Sequence, residues 1–525
     1  WLYRRDDAGT GVNMVSSDPM ASAGLFAELG NSNNIDAVGV VMNFNFKPTT
    51  VSFANTNAVG IIAGKLDGGR IFNVNLTLPS NDQVVVIGKN IVGGVVGAAT
   101  GNYQLQNVYS QYSAKARNNG TTGGNNFNSK LSDYSKYSFA GSIAGVLSGT
   151  GYVYDCVTDT AVAVLADKAG LQFGLIDENV TVKKLQVDMQ SNMIVNAYSY
   201  GGLVVGESKG NLSDVVVNKI AGGDTFVNFK KIPYESTAVG GVVGVSNSGK
   251  IDNVKMYQSI NVGNQSASTG VTYVGGVVGL INGGTILSNI VVDANLTGFS
   301  YLGGVAGGVT ADTTIVRFEN VDVTTALFAQ GHKLLFVGMG GLAGYVGEST
   351  IIQLSSSIVD HTEKNEEGED KNVMKKNNFA VSIQTMVYVY KGNISVYVGG
   401  ILGHDMSLLS HIINDTYSSI VGGQTTNKVL DMSSTDGTFS MTGQVVNIAE
   451  SGQEPEAGYR ESEGYVRKDE DGNSSTTIIK ILEGQKKAAV GCEYYCNVGF
   501  TTSAPKNTGI MMYINLHGDP AFAKA

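Results

Sequence analysis

Three carboxylates, Asp293, Asp322 and Asp360, are the acids best placed for chemistry, because glycan cleavage needs two or three acids converging in one groove. They stand four, two and three places beyond a recurring Asn position described below. They therefore share no register and read better as scattered solvated acids. His404 and His411 are seven apart, but no Cys or carboxylate cluster completes a metal set, and no His-Glu-x-x-His occurs. Both read as structural. Cys492 and Cys496 leave three readings open: a local disulfide if a turn intervenes, a zinc ligand pair, or free thiols. Asp469 to Asn473 resembles the opening of a calcium loop, but Ser474 and Lys480 stand where Gly and Glu are needed, so a plain turn is favoured.

Two further sets could bind rather than react. Phe139, Tyr273, Tyr301 and Tyr397 each precede a Gly-rich unit by two residues. Stacked, they would form an aromatic column able to bind sugar rings, although packing between coils is the commoner use. Glycosylation sequons occur at Asn75, Asn119, Asn179, Asn211, Asn264, Asn295, Asn393, Asn414 and Asn473. Their number is near chance for so Asn-rich a chain, so it does not establish secretion.

The elements that must position these residues follow from glycine. The chain has 525 residues with 69 Gly, 7 Pro and 3 Cys. Glycine is about twice its usual share, without the proline or period of collagen. Hydrophobic residues make up 42%, which is ample material for a core and argues against disorder.

The glycines recur as Gly, Gly, aliphatic, small or aliphatic, Gly. The six clearest copies carry Gly93, Gly94 and Gly97; Gly240, Gly241 and Gly244; Gly275, Gly276 and Gly279; Gly303, Gly304 and Gly307; Gly340, Gly341 and Gly344; and Gly399, Gly400 and Gly403. Looser copies begin at Gly60, Gly141 and Gly202, and a degenerate one at Ala23, giving about ten. Each is followed by a turn and a strand of the form aliphatic, any, Asn, aliphatic. Short Val/Ile/Tyr-rich runs bounded by Gly, Asn and Ser are strand chemistry. Many short strands at a recurring interval predict an all-β, right-handed parallel β-helix or β-solenoid. The glycine columns would let the backbone turn tightly or take positive φ.

Ile251 and Val254 cannot share a strand face under strict alternation, so a corner is expected at Asn253. Asn tolerates the left-handed conformation, and stacked Asn side chains can bond along a column. The column aligns as Asn73, Asn107, Asp155, Asp214, Asn253, Asn289, Asn320, Ser357 and His411. Cys156 then falls at an aliphatic position and is expected to be buried and inert.

On these residues the unit resembles the GLUG motif, best seen in Gly275 to Val292, GGVVGLINGGTILSNIVV. The resemblance covers roughly residues 20–420. It implies a β-helix-like solenoid, a cell-surface setting and an adhesive or structural role without catalysis in the repeats.

Residues 1–19 read as an N-terminal cap or linker, 20–425 as the solenoid, and 426–525 as a β-rich cap or small domain. Tyr465 to Leu482 is expected to form a hairpin. Asn118 to Lys130 and Asp360 to Lys376 are insertions that would project from one side. The first residue, Trp1, suggests a processed product or fragment. A net charge of −10 argues against nucleic acid, and no apolar run is long enough to span a membrane. The expected function is a non-catalytic extracellular coat, adhesin or filament subunit with no cofactor, partnered by itself, other surface proteins or glycans. The alternative is a β-helix lyase or hydrolase acting on polysaccharide.

Overall fold

In a computed structural model the described elements are all strands. The backbone is described for residues 3–5, 12–32, 39–79, 84–117, 137–159, 162–190, 193–220, 227–229, 237–262, 271–311, 315–332, 336–364, 370–375, 378–388, 393–399, 402–407, 412–415, 427–429, 440–448, 465–468, 474–481, 492–498 and 509–517, with side chains chiefly up to residue 353. Contacts divide the chain into two units, Trp1–Ile232 with Thr237–Gly263 and Pro233–Ser236 with Asn264–Ala525.

The first unit is a parallel β-solenoid with three faces. One coil shows the path. Ile91–Gly93 lies on the first face, a corner at Gly94 and Val95 leads to Val96–Thr100 on the second, and a turn at Gly101 leads to Asn102–Ser110 on the third. Each strand pairs in parallel with its equivalent in the next coil. Thus Ile91–Gly93 pairs with Phe139–Gly141, Val96–Thr100 with Ala144–Leu147, and Asn102–Ser110 with Thr150–Thr158. Inward positions carry the aliphatic residues of the repeat. Val95, Val96, Leu105 and Val108 are all at most 1% exposed.

The paired glycines serve close approach rather than unusual φ. A Cβ on Gly93 would sit 1.7 Å from the carbonyl oxygen of Val96, and one on Gly94 would sit 1.9 Å from that of Ser142. No side chain fits there. The left-handed glycines form a separate set at the following turn, where Gly101 has φ 70° and Gly149 has φ 76°. Of the two expected uses of glycine, close approach falls on the repeat glycines and positive φ on the turn glycines, in two different columns.

The 141–202 interval hides a whole coil. Gly141 to Gly145 is matched in register by Gly170-Leu171-Gln172-Phe173-Gly174, where Ala144 stands opposite Phe173. Gly170 in turn stands opposite Gly202. Leu171 replaces the second glycine, which removed the signature from view. Gln172 is fully buried where an aliphatic residue is usual. Its Nε2 donates to the carbonyls of Cys156 at 3.2 Å and Gln186 at 2.8 Å, which satisfies the donor side of its amide, while its buried Oε1 has no partner among the described residues.

The second unit repeats the three parallel faces. Tyr301–Gly303 pairs with Phe336–Gly340, Ala306–Val309 with Ala343–Val346, and Thr285–Asp293 with Ile315–His332. The 340–399 interval differs in kind from the earlier one. Ile351–Lys364 leaves the third face and turns back on Asp370–Lys375 as an antiparallel hairpin, which contains most of the charged insertion. Ile315–His332 meanwhile continues along Asn378–Tyr388.

Beyond the coils, pairing becomes antiparallel. Cys492–Val498 adds to Asn393–Gly399, and Gly509–His517 adds to Asn378–Tyr388. The expected hairpin is present, with Tyr465–Lys468 against Ser474–Ile481. Antiparallel additions occupy a sheet edge that would otherwise be open to other chains. Among the described residues no helix is long and apolar enough to cross a membrane.

Candidate functional site

The Asn column is a corner built of left-handed residues. Asn73, Asn107, Asp155, Asp214, Asn253, Asn289 and Asn320 all have φ between 49° and 59°. Side-chain amides bond along it. Asn107 Nδ2 donates to Asn73 Oδ1 at 2.8 Å, Asn253 to Asp214 at 2.7 Å, and Asn320 to Asn289 at 3.1 Å. Two members escaped the sequence. Asn43 extends the column, with φ 51° and its Oδ1 accepting from Asn73 at 2.9 Å. Lys184, in the hidden coil, has φ 56° and donates from Nζ to Asp155 Oδ2 at 2.6 Å. Ser357 pairs with Lys375 in the hairpin, and His411 lies outside the described residues.

Cys156 is fully buried, and burial pushes its thiol up to about 12. It is an apolar filler, as expected. Cys492 and Cys496 lie in one strand held between two antiparallel partners, so their Cα atoms stand about 13 Å apart, beyond the reach of a disulfide.

The aromatic column is partly assembled. In the second unit the Tyr273 and Tyr301 rings stack at 5.4 Å. Gly338, not an aromatic, then stands opposite Tyr301. Tyr345 supplies the next ring, 4.8 Å from Tyr301, and His404 packs 5.6 Å from Tyr345. His404 is 8% exposed, with its Nδ1 3.3 Å from Tyr301 Oη. A Cβ on Gly308 would meet Tyr273 Cδ1 at 2.4 Å, so the ring lies flat because that position is empty. Burial pushes the Tyr273 phenol up to about 12. Phe139 belongs to the first unit and to a different cluster. The side chain of Tyr397 is outside the described residues.

The acids do not converge in register. Asp293 stands opposite Thr324, and Asp322 opposite Val291. Asp360 lies in the strand that leaves as a hairpin. Among the sequons, Asn75, Asn179, Asn211 and Asn295 are exposed. Asn211 Oδ1 accepts from the Lys250 amide at 2.9 Å and Asn295 Oδ1 from the Ala326 amide at 3.2 Å. Asn393 and Asn414 lie in strands. Asn119, Asn264, Asn473, Gly400 and the acidic turn at 469–473 are outside the described residues.

A buried ionic cluster among the described residues was not read from the sequence. Lys168 Nζ donates to Glu207 Oε2, and the two side chains are 2% and 0% exposed. Lys168 comes from the strand Ala163–Gly170 on the first face, and Glu207 from Val205–Ser208 on the second face of the next coil. Asn247 Nδ2 donates to the other oxygen, Glu207 Oε1, at 2.8 Å. The Lys168 ammonium lies over Tyr137 at 4.5 Å, Tyr200 at 5.2 Å and Phe139 at 5.5 Å. Burial lowers the Lys168 amine, against the pull of Glu207. Burial raises Glu207, against Lys168, Lys209 and Asn247. Both shifts favour the neutral forms. Beside them, Asp167 Oδ2 accepts from the Ser138 amide at 2.8 Å and its hydroxyl at 2.9 Å.

A signal for this cluster existed. Lys168 falls two places before Gly170, and Glu207 directly after Gly206. Their neighbours in register are Phe139 and Tyr200, and Leu175 and Val245. Once the hidden coil is aligned, two charges stand out between apolar neighbours in register.

Comparison with protein-family models, curated proteins and solved structures returns no match. The arrangement is therefore interpreted from its own chemistry.

Proposed function

We propose that the chain is a non-catalytic extracellular structural or adhesive protein, presenting a β-solenoid for assembly or attachment. One observation carries the reading. The positions that recur from coil to coil serve stacking: inward aliphatics, glycines pressed against carbonyls, and the Asn corner. Residues that interrupt the pattern are the ones left for recognition. The hairpin Ile351–Lys364 with Asp370–Lys375 contains most of the charged insertion and is a natural contact element. The GLUG resemblance supports the cell-surface setting. Self-association, other surface proteins and glycans are the partners this reading implies.

The test is sedimentation and electron microscopy of the purified chain, with binding to cells and a glycan array. Assemblies, or retention on cells or glycans, are expected. A strictly monomeric chain that binds neither would overturn the proposal. So would turnover of an acidic polysaccharide that is abolished by Asp293→Asn.

A further inference from the structure

Buried ion pairs usually stabilise little. Desolvation of both charges competes with their attraction, and apolar replacement is often neutral or better. The surrounding columns supply such apolar residues at the same register in the coils before and after. A Lys and a Glu at this place therefore call for a chemical reason.

We propose that Lys168 and Glu207 condense into an intramolecular isopeptide bond, a covalent staple between adjacent coils. The geometry is that of reactants. The amine touches the carboxyl group directly, and neither side chain is exposed to solvent. Three aromatic rings surround the nitrogen. Asn247 Nδ2 holds Oε1, the oxygen that stays behind as the amide carbonyl and bears the charge of the tetrahedral intermediate.

The step balances without a co-reactant. In the neutral pair, favoured by the burial of both groups, the Nζ lone pair attacks Cδ. The Nζ–Cδ bond forms and the Cδ–Oε2 bond breaks. Oε2 leaves as water, taking the carboxyl proton and one amine proton, and the amide nitrogen keeps the other. Nothing is oxidised or reduced. The product removes both buried charges, and so removes the desolvation cost that opposes the ion pair. The held contact between the Lys168 amine and the Glu207 carboxyl group supplies the proximity that an uncatalysed condensation lacks. This inference does not depend on the proposed function.

Intact-mass measurement of the purified full chain tests it, followed by peptide mapping. The expected mass is one water below the sequence mass, with a branched peptide joining Lys168 to Glu207. The full sequence mass would mean an ion pair only and would overturn the proposal. A deficit mapped elsewhere would overturn it too, as would loss of ammonia with a branch from Lys168 to Asn247. Lys168→Met should restore the full mass, and a persisting deficit in that variant counts against the bond. Should that variant fail to fold, the map of the parent chain decides alone.

Discussion

Tyr103 lies over Gly151 of the next coil, its ring occupying the place where a side chain at 151 would stand. The two are opposite in register, and a Cβ on Gly151 would sit 2.2 Å from Tyr103 Cζ. Gly151→Ala is therefore expected to destabilise by about 1–3 kcal/mol, the usual cost of overpacking. Tyr103 Oη has no hydrogen-bond partner among the described residues, and burial raises the phenol. Tyr103→Phe should consequently be neutral or stabilising by up to about 1 kcal/mol. Thermal midpoints of the two variants check this pair. A midpoint for Tyr103→Phe several degrees below the parent would contradict it.

A repeat glycine should be far less replaceable than a turn glycine in the same unit. A Cβ on Gly276 would lie 2.1 Å from the Gly304 carbonyl oxygen, and backbone cannot yield. At Gly347 the nearest atom is the Thr310 Cα at 3.4 Å, an ordinary contact. Gly276→Ala is expected to cost about 1–3 kcal/mol. Gly347→Ala should be neutral or raise stability by a few tenths, by restricting the unfolded chain. Equal midpoints for the two variants would show that the columns do not depend on backbone contact.

The corner column separates conformation from hydrogen bonding. Asn107 has φ 53° and donates to Asn73. Asn107→Gly keeps the conformation and loses the bond. Asn107→Ala loses the bond and also forces Ala into the left-handed region, for about 1–2 kcal/mol more. The Ala variant should unfold below the Gly variant in denaturant titrations. The reverse order would show that the left-handed dihedral is not what makes Asn the corner residue.

These cases also explain what the sequence could reveal. A Cβ has no room at Gly93, so that first position writes glycine in nearly every coil, whereas the second, held by Gly94, is given to Ile61, Ser142, Leu171 and Leu203 in other coils. The left-handed corner writes Asn or Asp for a similar reason, and Asn73 to Asn320 could be aligned by type alone. The hidden coil could not, because Leu171 and Gln172 satisfy the packing by other means, and Gln172 relies on two carbonyls distant in sequence. Lys184 was lost with it, since an ion pair to Asp155 replaces the amide ladder there. Lys168 and Glu207 lie on different faces of successive coils. Their contact depends on register, which no local pattern carries.

Acid should expose one further polar contact. Lys65 Nζ lies 3.1 Å from Asp67 Oδ2, and Thr100 Oγ1 donates to Oδ1 at 3.1 Å. Burial pushes the Asp67 carboxyl up, but hydrogen bonds from Ser32, Lys65 and Thr100 and the Lys65 charge outweigh it. They hold the group below its ordinary 3.8. A folded-state value below the unfolded one means that the unfolded chain takes up the proton first as pH falls. The stabilisation is then fully present above the unfolded value and is lost as pH falls through the folded one. Solvent screening at the partly exposed Lys65 limits the ionic part to under about 1 kcal/mol. Asp67→Asn should therefore lower the thermal midpoint near neutrality and converge with the parent as pH falls through the folded-state value, below the ordinary 3.8. A gap between the two that stays constant across that range would assign the loss to hydrogen-bond geometry rather than to charge.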